Sequence, residues 1–180
     1  MTAEARRGII QADPERKGEG MKTVVVYYSL GGNTAWVAGR IAEKLGAELL
    51  PVEPKKAYPA RGAAKFLRGG KSAVFEETPA LKPCAPLPED AELVIFGFPV
   101  WAGNVTPPIR SFVKEYGESL KGRAFAAFAC ESGAGGEKAL GKLKQCLGAP
   151  LRAELILIDP KDKPSEENEE RIAAFCESIK

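Results

Sequence analysis

Residues 23–28 read Thr-Val-Val-Val-Tyr-Tyr, an unbroken β-branched and aromatic run that passes directly into Ser29-Leu30-Gly31-Gly32-Asn33-Thr34. A strand that is apolar on both faces needs cover from both sides, so it belongs inside a parallel sheet flanked by helices. Beyond the turn, Trp36, Val37, Ile41, Ala42 and Leu45 recur at helical spacing, and Gly46 supplies the stop. The turn therefore points the free amides of a helix start at one place, where the positive end of the helix dipole also lies. That arrangement suits an anion, most often a phosphate. The turn contains no Lys or Arg, so a phosphate is expected to be held by amides and by the side chains of Ser29, Asn33 and Thr34.

The alternation of strand and helix patterns continues to the end of the chain. Residues 47–52 form a shorter strand, closed by Pro51 and Pro54 and expected near a sheet edge. A short helix is predicted around residues 63–67, broken by Gly69-Gly70, and Pro79, Pro83, Pro86 and Pro88 keep the next stretch of chain extended. Residues 92–97 are a buried strand, leading into a loop over 98–107. Pro107-Pro108 then opens a helix through Ile109, Phe112, Val113 and Tyr116. Residues 123–130 and 151–158 are further strands, separated by a loop at 131–136 and a helix carrying Leu140, Leu143 and Leu147. A last helix places Ile172, Phe175 and Ile179 inward, with the Glu166–Glu170 cluster complementing its dipole.

Five strands alternating with helices predict an α/β fold: a doubly wound parallel sheet between two helical layers. Ligands of such sheets sit beyond the carboxyl ends of the strands, where the strand order reverses. Three loops of unusual composition leave such ends, at 29–34, 98–107 and 131–136, and are expected to build one site.

Composition removes several function classes. The 180 residues suit a single domain, and no apolar run approaches the length of a membrane span. A formal charge of +2, with no basic stripe interleaved with aromatics, argues against nucleic-acid binding. The chain has no histidine, which removes Ser-His-Asp and Cys-His catalysis and argues against a zinc or non-haem iron site. Cys84, Cys130, Cys146 and Cys176 form no CxxC pair and read as reduced, mostly buried thiols of a cytoplasmic protein. Residues 1–20 carry balanced charge and no signal-like apolar stretch, and are expected to be a flexible N-terminal extension to a domain spanning 21–180.

The nucleotide fingerprints GxxxxGK[ST] and GxGxxG are both absent. Small-residue turns after strands are common, so the first loop alone does not define a ligand. The second loop, Phe98-Pro99-Val100-Trp101-Ala102-Gly103-Asn104, sets a tryptophan beside a glycine. Trp101 could be a core residue needing a partner for its indole N–H, but its place at the ligand edge favours stacking on a flat ring. The third loop has three glycines among residues 133–136, which let backbone come close to a ligand.

With YYSLGGNT at 27–34, GFPVWAGNVTPPIRSFV at 97–113 and ACESGAGG at 129–136, residues 21–180 resemble the flavodoxin family. KFLRGGK at 65–71 followed by PALK at 79–82 is similar to small bacterial and archaeal members. The resemblance implies strand order 2-1-3-4-5 with FMN at the sheet edge. By position, Ser29, Leu30, Gly31, Gly32, Asn33 and Thr34 would cradle the phosphate. Pro99, Val100, Trp101, Ala102 and Gly103 would cover one face and edge of the isoalloxazine, and Cys130, Glu131, Ser132, Gly133 and Gly136 would line its pyrimidine side. No catalytic side chain is needed, because the flavin carries the chemistry. A phosphate without a local cation and an apolar ring pocket would lower the flavin potential, and the Ala102–Gly103 peptide is expected to turn over on reduction.

The chain departs from the strongly acidic long-studied flavodoxins and lacks the tyrosine that covers the outer flavin face in many of them. Two readings therefore stand: an FMN-binding electron-transfer protein, or an FMN-dependent NAD(P)H oxidoreductase acting on quinones or similar acceptors. A third is a scaffold without flavin that binds other proteins. The implied partners are a redox protein or NAD(P)H, with neither nucleic acid nor membrane, and the oligomeric state is left open.

Overall fold

The computed structural model describes residues 20–59 and 63–180, with the backbone alone for 63–67. In chain order the elements are β1 (Thr23–Tyr27), α1 (Asn33–Leu45), β2 (Glu48–Pro51), α2 (Ala63–Val74), β3 (Leu93–Pro99) and α3 (Pro107–Glu115). They continue with α4 (Gly117–Leu120), β4 (Ala124–Glu131), α5 (Gly136–Leu147), β5 (Glu154–Ile158) and α6 (Glu166–Ser178). The strands form one parallel sheet, as the strand–helix alternation predicts, in the order β2-β1-β3-β4-β5 that the family resemblance implies. β2, flanked by its prolines, is an edge strand.

The unbroken apolar runs make sense once both faces of the sheet are seen. Val24, Val26, Val94, Phe96, Ala127 and Ala129 point to one side, against Ile109 and Phe112 of α3 and Leu140 and Leu143 of α5. Val25, Leu93, Ile95, Ala126, Phe128, Leu155 and Leu157 point to the other, against Val37 and Ile41 of α1 and Ile172 and Phe175 of α6. Successive strand residues thus feed two separate cores, each side chain contributing on the order of 2 kcal/mol on burial. The ion pairs lie mostly at exposed positions and contribute far less.

Two helices sharing one face of the sheet are neighbours, however far apart they lie in sequence. α1 and α6 are such a pair, and both start at the carboxyl edge of the strands. The turn before α6 is therefore brought against the turn before α1. This adjacency decides much of the site.

Two sequence expectations require correction. Helix α2 does not break at Gly69-Gly70 but continues through both to Val74. Gly69 is buried, and a Cβ there would lie 3.2 Å from the Trp101 ring, so the glycine makes room for the indole rather than ending the helix. The second loop also begins later than expected, since Phe98 and Pro99 still pair in β3 with Ala129 and Cys130. The N-terminal extension lies outside the described residues, apart from Gly20. Among the described residues no helix is long and apolar enough to cross a membrane. All four cysteines are free; Cys130 and Cys176 are buried, while Cys84 and Cys146 are half-buried.

Candidate functional site

The first loop closes around a single hydroxyl. Ser29 Oγ accepts from the amides of Gly32 and Ala35, both at 3.2 Å. Gly32, at φ 94°, is the N-cap of α1 in the left-handed region and has no side chain to cap it, so the Ser29 hydroxyl takes the Ala35 amide of the first turn instead. The amides of Asn33 and Thr34 lie in the first helical turn, where no backbone acceptor is available. Ser29 thus acts as an internal strut of the loop, its hydroxyl already holding two of the loop's amides. The Asn33 side chain faces sideways: its Oδ1 accepts from Lys161 N and its Nδ2 donates to Asp162 Oδ2, each at 2.8 Å. Leu30 packs onto the core beneath the turn.

A cation reaches this loop after all. A Cβ on Gly32 would lie 2.8 Å from Lys161 Nζ, so the ammonium sits over the loop at the position of the missing side chain. A lysine from elsewhere in the chain thus stands beside a loop that has no Lys or Arg of its own. Lys161 comes from the β5–α6 turn, 129 positions beyond Gly32 in the sequence. No local pattern at 29–34 announces it; the signal lay in the shared sheet face of α1 and α6.

The second loop is a tight reversal. Trp101 and Asn104 bridge, the Asn104 amide donates to Trp101 O at 2.9 Å, and Ala102 and Gly103 follow at φ 50° and 67°. Two consecutive positive φ values make a primed turn, which glycine accepts freely and alanine only with strain. Asn104 Nδ2 donates to Ala102 O at 3.0 Å and fixes the carbonyl that the sequence reading expected to turn over. The Trp101 ring is held by its surroundings. Tyr28 and Tyr58 meet it edge-on with centroids at 5.7 and 4.9 Å, and Gly69 of α2 lies against it. Tyr58 is fixed in turn by a 2.8 Å contact with Ser72 Oγ, whose hydroxyl donates to Glu77 at 2.6 Å. Burial raises the phenol pKa of Tyr28 and of Tyr58, which keeps both neutral beside the indole.

In the third loop, glycine serves internal packing more than a ligand. A Cβ on Gly135 would stand 3.0 Å from Gly103 Cα, so the second and third loops touch at these two glycines. A Cβ on Gly136 would meet Ile156 at 2.8 Å, and the Gly136 amide donates to Glu131 Oε2 at 2.7 Å. Glu131 thus holds the start of α5. Gly133 faces open space. Ser132 donates to Asp159 Oδ1 at 2.6 Å, tying this loop to the β5–α6 turn as well.

A cavity of about 330 Å³ lies between the three loops. From the first loop it is lined by Gly31, Asn33 and Thr34; from the second by Pro99, Val100, Trp101 and Ala102; from the third by Cys130, Glu131 and Ser132. The remaining expected residues, Ser29, Leu30, Gly32, Gly103, Gly133 and Gly136, shape or flank the loops without lining it. Gly70 and Asp159 also line the cavity; the sequence does not point to them, because Gly69-Gly70 reads as a helix end and the β5–α6 turn as a plain connection. Burial pushes the Cys130 thiol up to about 12, with Thr34 hydrogen bonding pulling the other way, so Cys130 is an uncharged wall. A larger open depression of about 830 Å³ lies at the opposite edge of the sheet, among Glu89, Asp90, Arg123 and Arg152. It lies at the amino ends of the strands, away from the ligand edge of a doubly wound sheet.

A family model described as flavodoxin matches residues 22–154. A search of curated proteins finds no match. Among solved structures, a flavoprotein from Lactobacillus acidophilus NCFM in complex with FMN superposes with a TM-score of 0.67 at 18% identity, covering 79% of this chain and 96% of that one. A protein from Bacteroides uniformis assigned as a flavoprotein gives 0.68 at 23% identity, with 86% and 99% covered. A flavodoxin from the domain Archaea gives 0.55 at 16% identity, with 88% and 96% covered. At these identities the structural likenesses speak for the fold alone. With the family model spanning most of the chain, the sequence and the fold agree: this chain belongs to the flavodoxin family.

Proposed function

We propose that the chain is an FMN-binding electron-transfer protein. The observation that carries this is the convergence of three strand-end loops on one cavity, with a helix-start loop at one end and a clamped indole wall at the other. FMN has a dianionic phosphate and a planar ring joined by a short polyol, so it suits both ends at once. The cavity volume falls in the usual range for small-molecule sites. When bound, FMN supplies the redox chemistry. The chain's own residues bind and position it: Gly31, Asn33 and Thr34 line the phosphate end, Trp101 and Val100 flank the ring, and Cys130 remains a neutral apolar contact. Four thiols without a disulfide fit a cytoplasmic setting.

The absorbance spectrum of the purified protein, with and without added FMN, tests the proposal. Flavin bands that co-migrate with the protein and a stoichiometry near one are the expected result. A colourless preparation that leaves added FMN unbound refutes it.

A specific observation favours a second reading, that of an NAD(P)H oxidoreductase for quinones or similar acceptors. The third loop offers only Ser132, Gly133, Ala134 and Gly135, and the space beside Gly133 is open, so a second planar molecule could approach the flavin there. Anaerobic addition of NADPH separates the two. Direct bleaching of the flavin bands indicates the reductase, whereas bleaching only through an added redox protein indicates the carrier.

A further inference from the structure

We infer that Lys161 is a phosphate-binding residue, supplied across the fold from the β5–α6 turn, which makes the site select FMN over unphosphorylated riboflavin. The inference rests on the FMN reading and deepens it. The first observation is position: the Lys161 ammonium occupies the space beside Gly32 that any other residue's Cβ would enter, 2.8 Å from that point. Gly32 lies between Gly31 and Asn33, which both line the cavity, so the charge stands next to that lining and not on a remote surface.

The second observation is that the turn bearing Lys161 is fixed in place. Its backbone amide donates to Asn33 Oδ1 at 2.8 Å, and the next residue, Asp162, accepts from Asn33 Nδ2 at 2.8 Å. Asp159, at φ 44°, starts the turn; its carbonyl accepts from the Lys163 amide at 2.7 Å. Asp159 accepts from Ser132 at 2.6 Å and from Lys163 Nζ at 3.0 Å, and Asp162 accepts from Asn33. Asn33 and the β5–α6 turn therefore act together as a bracket that carries a charged side chain to the loop.

The chemistry follows from charge. FMN brings a dianion to this loop and riboflavin brings a neutral hydroxyl. A charge-assisted hydrogen bond from Lys161 strengthens only the former. Amide nests and helix ends alone bind anions, but their partial charges are smaller than a full ammonium.

The test is a titration of flavin-free protein with FMN and with riboflavin, monitored by quenching of flavin fluorescence, in wild type, Lys161→Met and Lys161→Arg. Lys161 is exposed, and Lys161→Met removes the charge while keeping an unbranched side chain. Lys161→Met is expected to weaken FMN binding by about tenfold, the size of one charge-assisted contact, and to change riboflavin binding by less than about twofold. Lys161→Arg should retain most of the FMN affinity, and the salt dependence of FMN binding should be shallower in Lys161→Met than in wild type. Equal loss for both flavins would overturn the inference by showing a structural role. Unchanged FMN affinity in Lys161→Met, with wild type binding FMN normally, would overturn it while leaving the FMN reading intact. Wild-type protein that binds neither flavin would refute both.

Discussion

Gly97→Ala tests whether the two strands that carry the second and third loops are packed as the structure has them. Gly97 sits in β3, paired with Tyr27 of β1 and Phe128 of β4. A Cβ at Gly97 would lie 2.1, 2.5 and 2.8 Å from three carbons of the Phe128 ring. Carbon atoms in contact prefer about 3.5–4.0 Å, so the ring must retreat by more than about 1 Å. It has nowhere to go, because Phe128 is 0% exposed and shares its core with Ile95, Leu157 and Ile172. Forcing a methyl into such a site costs about 1–3 kcal/mol, and the severity of this overlap puts the expected loss at the upper end, about 3 kcal/mol. Urea unfolding monitored by circular dichroism reads it as a lower midpoint at unchanged slope. Phe128→Leu alone should also destabilise, by leaving a cavity. The double variant should be more stable than the two single losses predict, by at least about 1 kcal/mol, because the smaller side chain vacates the contested space. If Gly97→Ala stays within about 0.5 kcal/mol of wild type, or the two changes simply add, the close packing is refuted.

Three further expectations rest on single contacts. Ala102→Gly should raise stability by about 0.5 kcal/mol, since relief of a left-handed alanine exceeds the added freedom of the unfolded chain, and a lower urea midpoint would contradict this. Asn33→Ala removes both bonds to the β5–α6 turn and should cost about 1–2 kcal/mol while weakening FMN more than riboflavin; equal weakening of both flavins would speak against the bracket. The Cys130 thiol is pushed up to about 12 by burial from an ordinary value of 9.0, so the unfolded chain deprotonates first as pH rises. Its contribution to stability is fully present below about pH 9 and declines between about pH 9 and 12, and Cys130→Ala should flatten that part of the stability profile. An identical alkaline slope in the two proteins would show that Cys130 is not shielded.

The sequence alone determined the architecture, because the signals for it are local. A run such as Val24-Val25-Val26 has to bury both faces, and the helix at Asn33–Leu45 is written in its apolar spacing and its closing Gly46. Even the three ligand-edge loops were legible, since each comes directly after a strand and carries glycine or tryptophan where ordinary connections do not need them. What local pattern misread was glycine inside a helix. Gly69-Gly70 looked like a stop, and only the position of the Trp101 ring explains why a helix keeps its glycines there.

Tertiary structure alone decided the electrostatics of the site and the duties of its side chains. Lys161 and Asn33 lie far apart along the chain and meet because α1 and α6 pack on the same face of the sheet. Likewise, Gly135 touches Gly103, and Glu131, which also lines the cavity, holds the start of α5. Periodicity and turn chemistry act over a few residues, so they fix which elements form and where their loops emerge. Which loops then share charge and hydrogen bonds depends on how the sheet is wound, and that is set by packing across the whole chain.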